Sequence, residues 1–195
     1  MTTFNTVDER LHTALQAIIQ RGHNVVISGQ VGAGKTTLKD MMKGFVPSDR
    51  SVLDIDASNG DVDRGNIETH DVIIMDELRG AEVNELLHAA DIGKQIVGVV
   101  HAASSSDNII SSRLANMSVI DESETSEKTI RTKHYLFSNA IDYVVHVDQT
   151  NARDYSMRYI QSITRKGEPI YTRTISNNSE SIVMERVFLD LSNSI

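Results

Sequence analysis

A glycine-rich segment follows a short apolar run early in the chain. It reads Gly-Gln-Val-Gly-Ala-Gly-Lys-Thr and fits the pattern G-x-x-x-x-G-K-[ST] at every defined position. Its glycines allow backbone angles and close approaches that a Cβ would block, and the freed N–H groups can line a cradle for an anion where a helix begins. The pattern therefore predicts a loop that binds the phosphates of a nucleotide. The loop comprises Gly29, Gln30, Val31, Gly32, Ala33, Gly34, Lys35 and Thr36, and Thr37 follows it.

Three side chains at the end of this loop have predicted roles. Lys35 is expected to reach the β- and γ-phosphates, the Thr36 hydroxyl to bind Mg²⁺, and Thr37 to contact the α-phosphate. The alternative is an ordinary glycine-rich turn between a strand and a helix. The complete motif in its strand-to-helix context favours nucleotide binding, and we predict ATP and Mg²⁺ as cofactors.

Two carboxylates follow a later apolar run, residues 71–75. Asp76 and Glu77 emerge at the carboxyl end of this predicted strand, where ligands bind in parallel sheets. One carboxylate can order the Mg²⁺ shell and the other can polarise a water for attack on the γ-phosphate. We assign the metal mainly to Asp76, with Glu77 beside it, and water activation to Glu77. A charged start of a surface helix is the alternative.

A histidine stands at the end of the next apolar run. His101 closes the segment Gly-Val-Val-His-Ala, at the carboxyl end of a strand predicted to lie beside the acidic one. In that position it could face the γ-phosphate and sense it. Its position alone leaves a purely structural role open, and that is the commoner role for a lone histidine at a strand end.

The composition excludes several classes of protein. With 39% hydrophobic residues, 24% charged residues and 2 prolines in 195 positions, the chain is expected to be globular. Its net charge of -8 argues against sequence-independent nucleic-acid binding, although a local basic patch would still permit direct contact. The absence of Cys excludes disulfides and thiolate metal sites. No apolar run approaches the ~20 residues that cross a bilayer, and no signal peptide is visible, so we expect a cytoplasmic protein.

The first half of the chain alternates between strand and helix patterns. The predicted strands are residues 24–28, 51–56, 71–75 and 95–102, and the predicted helices are residues 6–21, 35–43, 81–93 and 106–117. Residues 57–70 are polar and are expected to form a loop. Alternating strands and helices predict a mostly parallel sheet that is covered on both faces.

The second half has a different pattern. Residues 121–128 are an acidic connection, and the strand-like segments after it are residues 141–147, 156–164, 169–175 and 181–189. A hairpin turn is expected at 166–168. This half is predicted to be mainly antiparallel and is locally basic, which usually marks a solvated sheet face; a trans-acting arginine or a nucleic-acid contact is the alternative. The basic residues are Arg153, Arg158, Arg165, Lys166 and Arg173.

These features predict one P-loop ATPase domain over residues 1–195. It would consist of an N-terminal helix within 1–22, a nucleotide-binding core over 23–118 and a strand-rich part over 119–195.

Several short motifs, taken in order, resemble the secretion ATPase family that drives type II and type IV secretion, pilus assembly and DNA conjugation. The resemblance covers about residues 24–175. The matching positions are Glu77, Arg79-Gly80, Glu82, Leu86-Leu87, Gly93, His101-Ala102, Ser112-Arg113-Leu114 and Ala140-Ile141-Asp142.

The resemblance implies a RecA-like α/β fold and ATP hydrolysis in a hexameric homo-oligomer. It also implies partners in a secretion, pilus or DNA-transfer machinery, and a location at the inner face of the membrane. Within the site it favours γ-phosphate sensing by His101, and it places Asp56 where the family has an acidic-box glutamate. Two departures are a short segment before the first strand, where relatives have a separate domain, and the lack of the relatives' arginine-bearing segment.

Three functions follow from the sequence. The leading hypothesis is a motor subunit that couples ATP hydrolysis to movement of a macromolecule. The second is a nucleotide-gated assembly or regulatory module with little turnover, motivated by the missing arginines. The third is a small phosphotransferase, for which residues 131–137 are the nearest candidate for a lid.

Overall fold

The fold is built on one mixed sheet with helices on both of its faces. The computed structural model describes residues 9–56, 63–80, 82–103, 105–119, 126–149, 158–176 and 179–183. The strands are β1 Val25–Gly29, β2 Val52–Asp56, β3 Val72–Leu78, β4 Gln95–His101, β5 Tyr143–Gln149, β6 Arg158–Arg165, β7 Glu168–Ser176 and β8 Ser179–Val183. The helices are α1 Glu9–Gln20, α2 Lys35–Lys43, α3 Arg64–Thr69, α4 Glu82–Asp91, α5 Asp107–Met117 and α6 Glu127–Ala140.

The strand order places the glycine-rich loop in the middle of the sheet. Across the described residues the order is β2-β3-β4-β1-β5-β6-β7-β8. The first five strands in this order are parallel, and β6 to β8 continue the sheet as antiparallel neighbours. The predicted fold class, a mostly parallel central sheet with additional antiparallel strands from the C-terminal half, is confirmed.

Alternating residues of the central strands supply two separate apolar layers. Ile27 of β1 faces the layer with α1 and α2, whereas its neighbour Val26 faces the layer with α4, α5 and α6. Leu38 and Met42 are buried residues of α2 that pack in the first layer, and Leu114 is a buried residue of α5 that packs in the second. This pattern follows from the two-residue period of a strand and the three-to-four-residue period of a helix. The loop-bearing strand β1 is therefore buried along its whole length between the two layers.

The second half differs from its prediction in two ways. The helix α6 was missed, and β5, the first strand of a half expected to be mainly antiparallel, runs parallel to β1. Phe137 is the one residue of α6 that is buried, and most of the helix is polar or charged, so few apolar residues mark it in the sequence. The helices α5 and α6 both lie between β4 and β5, and this long connection lets β5 run parallel to β1. Residues 121–125 of the predicted acidic connection lie outside the described residues.

Two smaller predictions had different outcomes. Residues 64–69, expected to be loop, form the short helix α3, whose cap Asp63 accepts a hydrogen bond from the Gly65 N–H at 2.9 Å. The predicted hairpin turn between β6 and β7 is confirmed, with φ of 48° at Lys166 and 87° at Gly167. Residues 131–137 lie within α6, which packs against α4 and α5.

Within the described residues, no helix has the length and apolar character that crossing a bilayer requires.

Candidate nucleotide-binding site

The glycine-rich loop connects the end of β1 to the start of α2. Gly34 caps α2 in the left-handed region, with φ of 95°, and no side chain caps the helix. The first N–H groups of α2 are therefore left for the loop interior, where an anion can accept from them. Gly29 has φ of 156°, and a Cβ at this residue would lie 2.4 Å from the Val147 carbonyl oxygen of β5. This close approach of the two strands explains why the first position of the loop must be glycine.

Lys35 closes the loop on itself. Its Nζ donates a hydrogen bond to the Gln30 carbonyl oxygen at 2.8 Å. Partial burial lowers the pKa of Lys35, while the nearby carboxylates Glu77 and Asp76 act in the opposite direction. Because the ammonium sits on a flexible four-carbon stem, it can exchange the Gln30 carbonyl for a phosphate oxygen.

A buried pair supports the loop from below. Ser28 of β1 and His146 of β5 are joined by a hydrogen bond of 2.8 Å between Oγ and Nδ1. Burial lowers the pKa of His146, Lys35 lowers it further and Asp148 opposes both. The imidazole is therefore held neutral beneath the glycine-rich loop.

A β-bulge shapes the end of the acidic strand. The register between β3 and β4 shifts between Met75 and Leu78, and Glu77 has φ of 53°. Positive φ is uncommon for a residue with a Cβ and is a feature of strained functional positions. In a regular strand, Asp76 and Glu77 would point to opposite faces. With the bulge, both side chains line the same cavity.

Asp76 is held at one oxygen and unpartnered at the other. It is 9% exposed, and its Oδ2 lies 3.3 Å from the Nζ of Lys39. Its Oδ1 is buried and has no hydrogen-bond partner among the described residues. A buried carboxylate oxygen without a partner is costly, and Mg²⁺ or its water shell is a suitable partner. Together with the Thr36 hydroxyl on the same cavity, this arrangement fits a magnesium site.

The cavity collects most of the predicted site residues. Its volume is about 1000 Å³, and it opens to solvent. The loop contributes Val31, Gly32, Gly34, Lys35, Thr36 and Thr37, and the strands contribute Asp76, Glu77 and His101. Gly29, Gln30 and Ala33 belong to the loop but do not line the cavity.

His101 and Asp56 occupy different places relative to this cavity. His101 is the last residue of β4 and pairs in register with Gly29, so its exposed side chain stands beside the loop. Asp56 ends β2 opposite Asp76, but it does not line the cavity. The structure therefore brings His101 to the loop and places Asp56 one strand further out.

Two further arginines line the cavity. Arg113 comes from α5, and Arg158 comes from the first position of β6. The sequence had assigned Arg158 to a solvated sheet face by default. Its location follows from strand pairing: β6 runs antiparallel to β5, so Arg158 lies opposite Gln149 at the carboxyl edge of the parallel strands. Antiparallel pairing of the strand-like segments 141–147 and 156–164 would have been the sequence signal for this location.

The charged lining suits an anionic ligand. Four cationic side chains and two carboxylates line the cavity, although the protein as a whole carries a net charge of -8. The cationic residues are Lys35, Arg79, Arg113 and Arg158. Arg79 donates a hydrogen bond to Glu77 at 2.5 Å, so this carboxylate already has a partner. The remaining positive charge can attract a polyphosphate.

Solved structures share this arrangement of strands and helices. The VirB11 ATPase from the Brucella suis type IV secretion system, in complex with sulphate, superposes with a TM-score of 0.63 at 20% identity and covers 85% of this chain and 57% of its own. The chain has the fold of the secretion ATPases. The Legionella pneumophila ATPase DotB gives a TM-score of 0.57 at 18% identity, over 78% of this chain and 48% of that one.

A pilus motor also matches. The pilus retraction motor PilT with bound ADP gives a TM-score of 0.53 at 12% identity, over 80% of this chain and 49% of that one. The chain thus spans about half the length of the solved structures it matches. No protein-family model matches the sequence, and no curated protein does. At these identities the likeness establishes the fold, and it confirms the resemblance to secretion ATPases at that level.

Proposed function

We propose that this protein is an ATPase that binds ATP with Mg²⁺ in the cavity at the glycine-rich loop and uses hydrolysis to drive movement. The observation that carries the proposal is one cavity shared by the loop, Lys35, the two carboxylates of β3 and His101. The fold is shared with PilT, solved with bound ADP, and with VirB11, solved with sulphate, which supports binding of a phosphate-bearing ligand by this chain.

Binding rests on the loop and on α2. The uncapped N–H groups after Gly34 receive phosphate oxygens, and Lys35 transfers its hydrogen bond from Gln30 to the β- and γ-phosphates. Thr37 contacts the α-phosphate. Thr36 and Asp76 would hold the Mg²⁺, with Glu77 beside them, and charge on the phosphates would be neutralised by the bound metal.

Hydrolysis needs a positioned water and a side chain that contacts the γ-phosphate and responds to its presence. Glu77 accepts a proton from the attacking water once Arg79 releases its carboxylate. His101 stands beside Gly29 and contacts the γ-phosphate, so it reports whether the phosphate is present. Asp56 assists from β2, behind Asp76. Arg113 and Arg158 of the same chain line the cavity and add positive charge that stabilises the charge on the γ-phosphate during hydrolysis.

The resemblance extends the proposal to assembly. Residues 1–195 form one P-loop domain, copies of which assemble into a hexameric ring beside a secretion, pilus or DNA-transfer machinery at the cytoplasmic face of the membrane. The ring converts turnover into motion of a macromolecule.

A second candidate is a nucleotide-gated assembly module with little turnover. The ion pair between Glu77 and Arg79 favours it, because the carboxylate that should activate water is engaged at 2.5 Å. Under this alternative, ATP binding changes the assembly state and is not consumed.

Two substitutions separate these functions. Lys35→Ala should abolish binding of a fluorescent ATP analogue, because the phosphates lose their lysine. Glu77→Gln should keep the affinity for ATP and lower phosphate release by about 100-fold or more. Lys128→Ala, on an exposed position of α6 away from the cavity, is the control.

The readouts are nucleotide affinity, phosphate release and light scattering with and without Mg-ATP. Turnover that survives Lys35→Ala would refute the ATPase. Tight binding in the wild type without phosphate release, together with nucleotide-dependent assembly, would favour the module.

A further inference from the structure

The helix that follows the loop carries a buried lysine. Lys39 lies in the middle of α2 on the face that packs against the sheet, and it is 7% exposed. Leu38 and Met42, on the same buried side of α2, are fully buried apolar residues. Lysine is almost never buried unless it is paired, because removing an ammonium from water is costly. The carboxylates around Lys39 therefore have to account for its presence.

Three carboxylates surround the Lys39 ammonium. Its Nζ lies 3.3 Å from Oδ2 of Asp76 on β3, 3.5 Å from Oδ1 of Asp54 on β2 and 3.3 Å from Oδ1 of Asp40 on its own helix. Lys43, one turn further on, holds the other oxygen of Asp54 at 2.8 Å. Lys39 thus links the phosphate-loop helix to the two strands that form the acidic edge of the sheet.

The two oxygens of Asp76 have different surroundings as a result. Lys39 contacts Oδ2, whereas Oδ1 is buried and has no hydrogen-bond partner among the described residues. A carboxylate fixed at one oxygen keeps its other oxygen in a defined direction. Groups that orient a metal ligand in this way contribute strongly to metal affinity.

We propose that Lys39 is a positioning residue for the magnesium of the bound nucleotide: its ammonium holds Oδ2 of Asp76 and leaves Oδ1 as the oxygen for the metal or its water. Its positive charge also offsets the repulsion between the Asp54 and Asp76 carboxylates before nucleotide binds. This inference rests on the proposed function, because it concerns the same site. Lys39 itself touches neither nucleotide nor metal.

The experiment compares two neighbouring lysines of α2. Lys39→Met removes the ammonium and keeps a straight apolar side chain. Lys43→Met is the matched control. Lys43 also pairs with Asp54, but its side chain is 44% exposed and does not pair with Asp76 among the described residues. Lys39→Arg keeps the charge and should restore the contact in part.

The readout is the affinity for a fluorescent ATP analogue, measured with excess Mg²⁺ and again in EDTA. The ratio of these two affinities isolates the contribution of the metal. For Lys39→Met, the affinity in EDTA should match the wild type, while the ratio should fall roughly 10-fold to 100-fold. Lys43→Met should keep the wild-type ratio, and Lys39→Arg should recover much of the loss.

Three results would overturn the inference: a ratio in Lys39→Met that is unchanged, a ratio that rises, or an equal fall in Lys43→Met. If Lys39→Met does not fold, the double variant Lys39→Met/Asp54→Asn removes one charge of each sign and should fold with the same reduced ratio. A wild type that binds no nucleotide in either buffer would instead show that the proposed function has failed.

Discussion

The left-handed backbone of Glu77 gives a prediction about stability that is separate from the proposed role of its carboxylate in turnover. Replacing Glu77 by Gly removes the carboxylate that is proposed to activate water, so turnover should be lost. The same change removes the Cβ from a residue with φ of 53°, which relieves the strain of the bulge. Glu77→Ala is the matched comparison, because it also lacks the carboxylate but keeps the Cβ.

The size of the effect follows from two opposing contributions. A Cβ in the left-handed region costs roughly 1–2 kcal/mol. Glycine gives the unfolded chain more freedom, which lowers stability by about 0.4–1 kcal/mol. Both variants lose the ion pair with Arg79, so that contribution cancels. The net expectation is that Glu77→Gly is more stable than Glu77→Ala by about 1 kcal/mol.

The assay is thermal and urea unfolding of the two variants without nucleotide, followed by phosphate release. For a chain of this size, about 1 kcal/mol corresponds to a Tm difference of roughly 2–4 °C. Neither variant should turn over ATP.

The sign of the difference is the decisive result. In an ordinary strand, Gly is less stable than Ala by roughly 0.5–1 kcal/mol. Equal stability, or a less stable Glu77→Gly, would mean that Glu77 does not adopt the left-handed conformation in solution, and the argument from the bulge would be wrong. Turnover retained by Glu77→Ala would refute its role in activating water.

Three other changes test separate parts of the site. Gly29→Ala should lower both stability and nucleotide affinity, because its Cβ would meet the Val147 carbonyl at 2.4 Å; unfolding and binding of a fluorescent nucleotide check this. His101→Gln should keep ATP affinity and reduce phosphate release, and an unchanged rate would favour the structural role. His146 has a lowered folded pKa, so its neutral form is the stable one: the wild type should lose stability as the pH falls below the ordinary value of 6.5, and His146→Gln should lose less, as measured by urea unfolding at pH 5 to 8.

The parts of the fold that the sequence predicts best have local signals. The loop motif needs only eight consecutive residues, and α2 begins at Lys35 and ends at Lys43 as its pattern predicts. The strands β1, β3 and β4 are short apolar runs between polar residues, and their alternation with helices predicts a parallel sheet. In these segments propensity, patterning and tertiary packing agree.

The features that the sequence does not predict depend on tertiary neighbours. The helix α6 buries only Phe137 and is otherwise mostly polar or charged, so few apolar residues mark it in the sequence. Arg158 reaches the cavity only because β6 returns antiparallel to β5, a pairing between distant segments. In the sequence, Lys39 looks like any charged residue on a helix surface. Its burial is explained only by its ion pairs with Asp54 and Asp76, which lie on two other elements of the fold.

The bulge and the buried lysine act on the two adjacent carboxylates of β3 in complementary ways. The bulge allows Asp76 and Glu77 to face one cavity although they are neighbours in a strand. Lys39 then holds Asp76, and Arg79 holds Glu77, so each carboxylate has its own cation. One of these cations is buried and fixed, while the other is exposed and can leave. This difference suits the proposed function, in which Asp76 keeps its direction throughout and Glu77 is released to accept a proton.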